Sequence, residues 1–293
     1  MIIIKTPATS ANVGVGFDCL GLALQLYNTF YVEPADTYVL EGTEEKYANE
    51  ENLFIQSYKK ACQYLQVKEL PLHIRFKADV PVSRGLGSSA TLIVAGITAC
   101  YAVHGKTTDK ETILQIASAI EGHPDNVAPC IYGGLCASYS TEGKYHTLPL
   151  QVHKDLLFTL AVPDFEVSTE KARELLPSSY ARKDVVNNIA CVLALSKGME
   201  TGDMDKILLS EKDTIHEPYR KPLIKGFDDF EEAFKQQTQG CVLISGSGST
   251  ILGISTKPCD ISVFQTKFPS WKFHTVPLDT TGVQCKEIQN VLK

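Results

Sequence analysis

The chain has 293 residues, a length that accommodates two domains of about 150 residues each. Hydrophobic residues make up 44% and charged residues 21%, the composition of an ordinary globular protein with no extreme in either direction. A formal net charge of −6 supplies no basic field for nucleic acid or for an anionic membrane, so neither is an expected partner, and an anionic substrate must be held by local positive groups.

Residues 2–5 read as a strand that begins the fold at once; the apolar run at Met1–Pro7 is too short for a signal peptide. A Gly-, Ser- and Asn-rich loop is expected through Gly21, followed by a strand over Leu26–Glu33, which alternates as strands do. Leu53, Ile55, Tyr58, Cys62 and Leu65 recur at helical spacing and predict a helix over Asn52–Gln66. Leu72–Phe76 predicts a strand, and the loop Pro81–Gly87 follows. Ser88 to Val103 is apolar almost all round, as a helix buried on every side must be. A helix over Thr112–Ile120, a short one over Asp125–Ile131, and paired strands at Leu135–Ser140 and Tyr145–Leu150 complete the first half. The second half is expected to run from a strand at Leu156–Val162 through helices at 169–176, 180–197 and 221–238. Strands at Cys241–Ile244 and Thr250–Ile254 then flank a Ser-Gly repeat, and a last helix and strand fill 258–276. Strands and helices are mixed without strict alternation, which favours α+β over a doubly wound sheet. A domain boundary is placed at 150/151, where the strand pair ends.

The nine cysteines are odd in number and follow no C-x-x-C spacing. Such a pattern in a chain of this size reads as reduced, mostly buried thiols of a cytoplasmic protein rather than an oxidised scaffold. No apolar run approaches the roughly 20 residues of a membrane span.

Three segments carry chemistry. Pro81-Val82-Ser83-Arg84-Gly85-Leu86-Gly87-Ser88-Ser89-Ala90 joins a strand to a helix. Glycines allow a tight turn and a close approach, and the unpaired amides and dipole at a helix N-terminus favour an anion. Ser88 and Ser89 can cap the helix, hold a phosphate oxygen or ligate a metal, and Arg84 can neutralise charge nearby. The plain alternative is a tight turn with a serine cap. Gly85-x-Gly87-x-x-Ala90 also fits a dinucleotide fingerprint, but no strand ending in an acid follows the helix, and no Lys-Ser/Thr follows the loop as a Walker motif requires.

Pro7 to Asp18 is a glycine-rich loop bearing Asn12 and Asp18, short polar groups suited to a small polar ligand, or else an Asx-rich surface turn. Glu121-Gly122-His123-Pro124-Asp125-Asn126-Val127-Ala128-Pro129 places two carboxylates, an imidazole and an amide before a short helix, whose start Asp125 or Asn126 could simply cap. Arg173, after Thr169, and Arg220 offer guanidinium forks that suit a carboxylate, although a solvated surface role is the default for either alone.

The wording Pro-x-x-x-Gly-Leu-Gly-Ser-Ser-Ala is similar to the ATP-binding signature of the GHMP kinases. The Pro7–Asp18 segment, the His123–Pro129 segment, the Ser168–Arg173 segment and the Gly240–Ser249 segment, with its Ser245–Ser249 glycine loop, resemble further motifs of that family in its order. The resemblance implies an α+β fold of two domains: residues 1–150 related to the ribosomal S5 domain-2 fold and binding ATP, and residues 151–293 ferredoxin-like. It further implies transfer of the γ-phosphoryl group of Mg-ATP to the side-chain hydroxyl of L-homoserine, a step of threonine biosynthesis. Residues Pro81 through Ala90, with Thr91 and Asn52, would hold the nucleotide. Ser89, then Glu121, would meet Mg2+. Asn12, Asp18, His123, Asp125, Thr169, Arg173 and Arg220 would gather the amino acid, with the arginines on its carboxylate. Asn126, Asp125 and Arg173 would act on the reacting groups, and Asp125 is left as either a base or a binding group. ATP and L-homoserine are the small-molecule partners, and the family leads us to expect a homodimer. Relatives using mevalonate or a sugar, and a ligand sensor without turnover, are the rival readings. The Asp125-Asn126 pair and the two arginines favour a zwitterionic amino acid.

Overall fold

The computed structural model describes residues 1–288. The chain opens with β1 (Ile2–Ala11), β2 (Leu20–Pro34) and the short β3 (Val39–Glu41), then α1 (Leu53–Tyr64) and β4 (Leu72–Ala78). Next come α2 (Ser88–Val103), α3 (Lys110–Glu121), α4 (Val127–Tyr132), β5 (Leu135–Thr141) and β6 (Lys144–Leu150). The second half holds β7 (Leu157–Val162), α5 (Thr169–Glu174), α6 (Arg182–Thr201), α7 (Met204–Ile207), α8 (Glu217–Arg220) and α9 (Phe227–Thr238). It ends with β8 (Cys241–Ile244), β9 (Ile251–Ser255), α10 (Ile261–Lys267), β10 (Lys272–Val276) and β11 (Gln284–Glu287).

These strands form two sheets. The first runs β11-β1-β2-β4-β3, with β5 and β6 attached through β2. Its final strand comes from the far end of the chain, β11 pairing antiparallel with β1 from Ile2↔Glu287 onward. The second sheet has the order β10-β7-β9-β8. Numbered within the second half that order is 4-1-3-2 with all neighbours antiparallel, the ferredoxin-like arrangement.

Period-two alternation explains the layering. In the second sheet Val242, Ile244 and Ile251 turn to one side, where Phe230 and Phe234 of α9 and Phe264 of α10 cover them. Leu243, Leu252 and Ile254 turn to the other, where they meet Leu195 and Met199 of α6 and Leu20, Leu22 and Leu24 of β2. The second core is therefore shared by the two halves. A separate core lies between Ile4, Phe30 and Ile74 of the first sheet and the helices α1, α2 and α3. There α2 is buried nearly all round, as its composition requires.

The chain departs from sequence expectation mainly where it is buried on both faces. The strand expected over 2–5 continues to Ala11, and the one expected from Leu26 starts at Leu20, so the loop between them shrinks to eight residues, 12–19. Thr6 to Ala11 is buried without a break, and a segment enclosed on both sides carries no alternation to read. The helix expected to begin at Asp125 begins at Val127, which leaves Asp125 and Asn126 ahead of it. The helix expected over 221–238 is a short turn at 221–223 and then α9, interrupted at Gly226 in the left-handed region (φ 86°).

Candidate active site

The loop between β4 and α2 sets the geometry. Ser83, Gly85 and Gly87 have φ of 55°, 76° and 65°, so three left-handed residues curl the chain before the helix. Gly87 occupies the N-cap position of α2, and among the described residues no side chain caps the helix. Its first amides are thus left for a ligand. A Cβ at Gly87 would stand 1.9 Å from Thr9 Oγ1, and one at Gly85 would stand 2.2 Å from the carbonyl oxygen of Ser245, so neither position accepts a side chain. The second glycine loop braces the first: Ser245 Oγ donates to the Gly85 carbonyl at 2.6 Å, and the Thr250 amide donates to the Arg84 carbonyl at 3.0 Å.

This loop forms one end of a cleft of about 690 Å³. Pro81, Val82, Ser83, Arg84, Gly85, Gly87, Ser88, Ser89 and Asn52 line it. Leu86, Ala90 and Thr91 do not: Leu86 and Ala90 are buried in the core behind the loop, and Thr91 Oγ1 accepts from Asn28 Nδ2 and donates to the Ser88 carbonyl. Asn52 has both ends of its amide engaged. Its Oδ1 accepts from the Phe54 amide at 3.0 Å as the N-cap of α1, and its Nδ2 donates to the Tyr47 carbonyl at 2.8 Å. Arg84 pairs with Glu166 at 2.9 Å and donates to the Asp164 carbonyl, so its charge is largely spent on the second half of the chain.

The Glu121–Asn126 segment lines the same cleft. Ser89 Oγ donates to Glu121 Oε1 at 2.6 Å. Burial raises the Glu121 carboxyl above the usual carboxylate range, and the Ser89 hydrogen bond opposes part of that. His123 Nδ1 and Asp125 Oδ1 lie 2.5 Å apart, and this hydrogen bond raises the imidazole's pKa against the opposing effect of burial. Thr9 Oγ1 donates to Asn126 Oδ1 at 2.8 Å, which turns the amide nitrogen away from Thr9.

Residues 42–53 line another side of the cleft, and the 12–18 loop, α5, α8 and the Gly246-Ser247 turn supply a further wall. Asn12, Val13 and Asp18 hold φ of 72°, 46° and 52°, a cluster of strained residues at one site. Asn12 acts as a knot rather than a free group: its Nδ2 donates to the Gly246 carbonyl at 2.8 Å, and its Oδ1 accepts from the Asp18 amide at 3.0 Å. Asp18 and Arg173 form a two-pronged pair across the cleft at 2.8 and 2.9 Å, and that bond raises the arginine's pKa. Thr169 Oγ1 lies 3.1 Å from Ser247 Oγ. Arg220 is 2% exposed, yet it lines the cleft. Burial lowers its pKa first, and the neighbouring Arg173 adds to this. Phe17 faces both guanidinium groups, its ring centre 5.6 Å from Cζ of Arg173 and 5.1 Å from Cζ of Arg220. The charge of Asp125 adds to that of Asp18 in raising the Arg173 pKa, and at Arg220 it opposes the lowering by burial.

Sequence reasoning missed Thr9, Phe17, Ser247 and His216. The first two lie within the motif that supplied Asn12 and Asp18, and Ser247 within the Ser245–Ser249 glycine loop. His216 stands four residues before Arg220, a helical spacing that puts the two side chains together.

A family model described as the GHMP kinases N terminal domain matches residues 52–134. A homoserine kinase of Clostridium botulinum (strain 657 / Type Ba4) is 39% identical over 253 residues, covering 86% of this chain and 85% of the relative. A homoserine kinase of Nostoc punctiforme is 35% identical and covers 97% of each chain. The crystal structure of homoserine kinase from Cytophaga hutchinsonii superposes with a TM-score of 0.86 at 29% identity, again over 97% of each chain. By this identity, sustained over nearly its full length, the chain belongs to the homoserine kinase family of the GHMP kinases.

Proposed function

We propose that this protein transfers the γ-phosphoryl group of ATP to the side-chain hydroxyl of L-homoserine. The observation that carries the reading is the pairing within one cleft of an uncapped helix N-terminus, at α2, with two arginines, Arg173 and Arg220. The first suits a polyphosphate and the second a carboxylate. Phosphoryl transfer needs positioning and charge stabilisation more than covalent help, and the site supports both. The loop from Ser83 to Ser89 would hold the phosphates by its amides. Arg220 would take the substrate carboxylate, and Arg173 would share that task on leaving Asp18, whose carboxylate then meets the ammonium group with Asp125 and His123. Asn126, its oxygen occupied by Thr9, would present its NH₂ group to the reacting oxygens. Asp125 shares its oxygen with His123, which supports electrostatic stabilisation rather than proton removal.

Mg2+ fits the donor set. Among the described residues no group of three or more His, Cys, Asp or Glu side chains could hold a metal alone. A hydroxyl and a carboxylate, Ser89 and Glu121, line the cleft instead, and Mg2+ commonly takes one or two protein oxygens with the remainder from phosphate and water. When bound there, the ion would neutralise charge on the phosphate oxygens.

All nine cysteines are free thiols, which supports a reducing, cytoplasmic setting. No helix among the described residues is long and apolar enough to cross a membrane. The exposed stripe Val186, Ile189 and Leu193 on α6 supports a homodimer, which sedimentation of the purified protein tests. The enzymatic reading is tested by ADP release with homoserine, threonine, serine and mevalonate as acceptors. Turnover on homoserine above the others is expected. Turnover on another alcohol, with none on homoserine, would overturn the substrate and spare the kinase.

A further inference from the structure

We propose that His216 is a positioning residue for the phosphoryl acceptor: it holds Arg220 in one orientation at the cleft wall and ties it to the 12–18 loop, so that the guanidinium meets the substrate carboxylate ready-aligned. The inference rests on the reading of the site given above. His216 is fully buried, and its ring stacks on Phe17 at 5.2 Å with an interplanar angle of 26°. Its Nε2 lies 2.8 Å from the Gly14 carbonyl oxygen, and its Nδ1 lies 3.4 Å from Arg220 Nη1. A carbonyl only accepts and a guanidinium only donates, so one tautomer satisfies both contacts: hydrogen on Nε2, lone pair on Nδ1. Protonation would set an N–H on Nδ1 against the N–H of a neighbouring cation.

The charged groups around the ring are Asp213, whose Oδ2 is 3.8 Å from Nε2, Arg220 and Asp18. Burial outweighs the two carboxylates and holds the imidazole down to about 4, so the ring is neutral under ordinary conditions. Arg220 also donates from Nη1 to the Gly246 carbonyl at 3.1 Å and from Nε to the Ala172 carbonyl at 3.4 Å. Among the described residues Nη2 has no hydrogen-bond partner, and Arg220 lines the cleft. Two of its acceptors are main-chain carbonyls that no substitution removes. The third is the imidazole, which also carries the bond to Gly14.

Steady-state kinetics of His216→Leu and His216→Gln test the proposal, with homoserine and with the amino alcohol that homoserine becomes without its carboxylate. The Leu variant is expected to raise the KM for homoserine about tenfold or more, the loss typical of a hydrogen bond to a charged group. Its KM for ATP and its kcat/KM on the amino alcohol should stay at wild-type values. The Gln variant, whose amide both donates and accepts, should recover most of the loss. Equal losses on the two acceptors, an unchanged homoserine KM, or a Gln variant as poor as the Leu variant would each overturn the proposal. If the Leu variant does not fold, His216→Asn, too short to span both partners, must show the same split between acceptors. Arg220→Lys separates this idea from the reading beneath it. An unchanged homoserine KM there defeats the site reading, whereas a loss there with none in His216→Leu defeats only the role of His216.

Discussion

Asn126 shows how a side chain becomes directional. Its oxygen accepts the Thr9 hydroxyl at 2.8 Å, and among the described residues its nitrogen has no partner. It stands beside Gly87, where a Cβ would come 3.0 Å from its oxygen, so the amide touches the turn that leads into α2. A donor fixed there acts without reorganising as the phosphoryl group moves. Asn126→Ala is expected to lower kcat about a hundredfold, as loss of a preorganised donor does, with the KM for ATP little changed. Stopped-time assays at saturating ATP and homoserine check this. A variant that loses ATP affinity instead would mean that Asn126 supports the loop rather than the reaction. The residue was legible in the sequence through its neighbours His123 and Asp125, but Thr9, which aims it, lies 117 residues away and could not be paired with it from the chain alone.

At the scale of elements, helix starts do the work. α2 begins without a side-chain cap and faces the cleft, whereas α1 begins at Asn52 with a full cap. The difference is functional: an occupied N-terminus stabilises its helix, and an open one can receive a ligand. Asn52 also closes the 47–52 turn through the Tyr47 carbonyl, and Tyr47 lines the cleft. Asn52→Ala is therefore expected to cost about 1 kcal/mol of stability, measured by urea unfolding. It should raise the KM for ATP without altering that for homoserine. A shift in the homoserine KM would place the nucleotide elsewhere. Both helices were readable from periodicity and composition. The capping contrast was not, because Ser88 and Ser89 are as good caps on paper as Asn52.

For the whole molecule, the telling group is Glu217, buried in α8 where the second sheet meets the cleft wall. Its Oε1 accepts from the Ile244 amide at 2.8 Å, and among the described residues its Oε2 has no partner. Burial pushes this carboxyl up to about 8 from an ordinary 4.5. Because the folded value is raised, the folded state holds the proton more tightly than the unfolded chain does. Stability is therefore full below about 4.5, falls as pH rises, and levels off once pH passes about 8. Glu217→Gln removes that slope. Relative to wild type the variant should gain on the order of 3 kcal/mol between pH 5 and pH 8, read from urea midpoints at each pH. Parallel pH profiles for the two proteins would show that Glu217 does not titrate in this range. α8 also carries Arg220, so this buried acid and the cleft share one helical turn.

Helices and strands were readable from the chain wherever one face meets water and the period survives, as in α1, β4 and α3. The loops that carry the chemistry were legible as well, because a loop that approaches a ligand needs particular residue types. Packing in three dimensions, and nothing local, makes β1 run on through Ala11, brings β11 back to pair with β1, and lets Asp18 and Arg173 clasp each other across the cleft. Two causes account for them. A segment enclosed on both faces loses its alternation, and contacts between distant parts of the chain follow from the packing of two sheets on one shared core, which leaves no local trace.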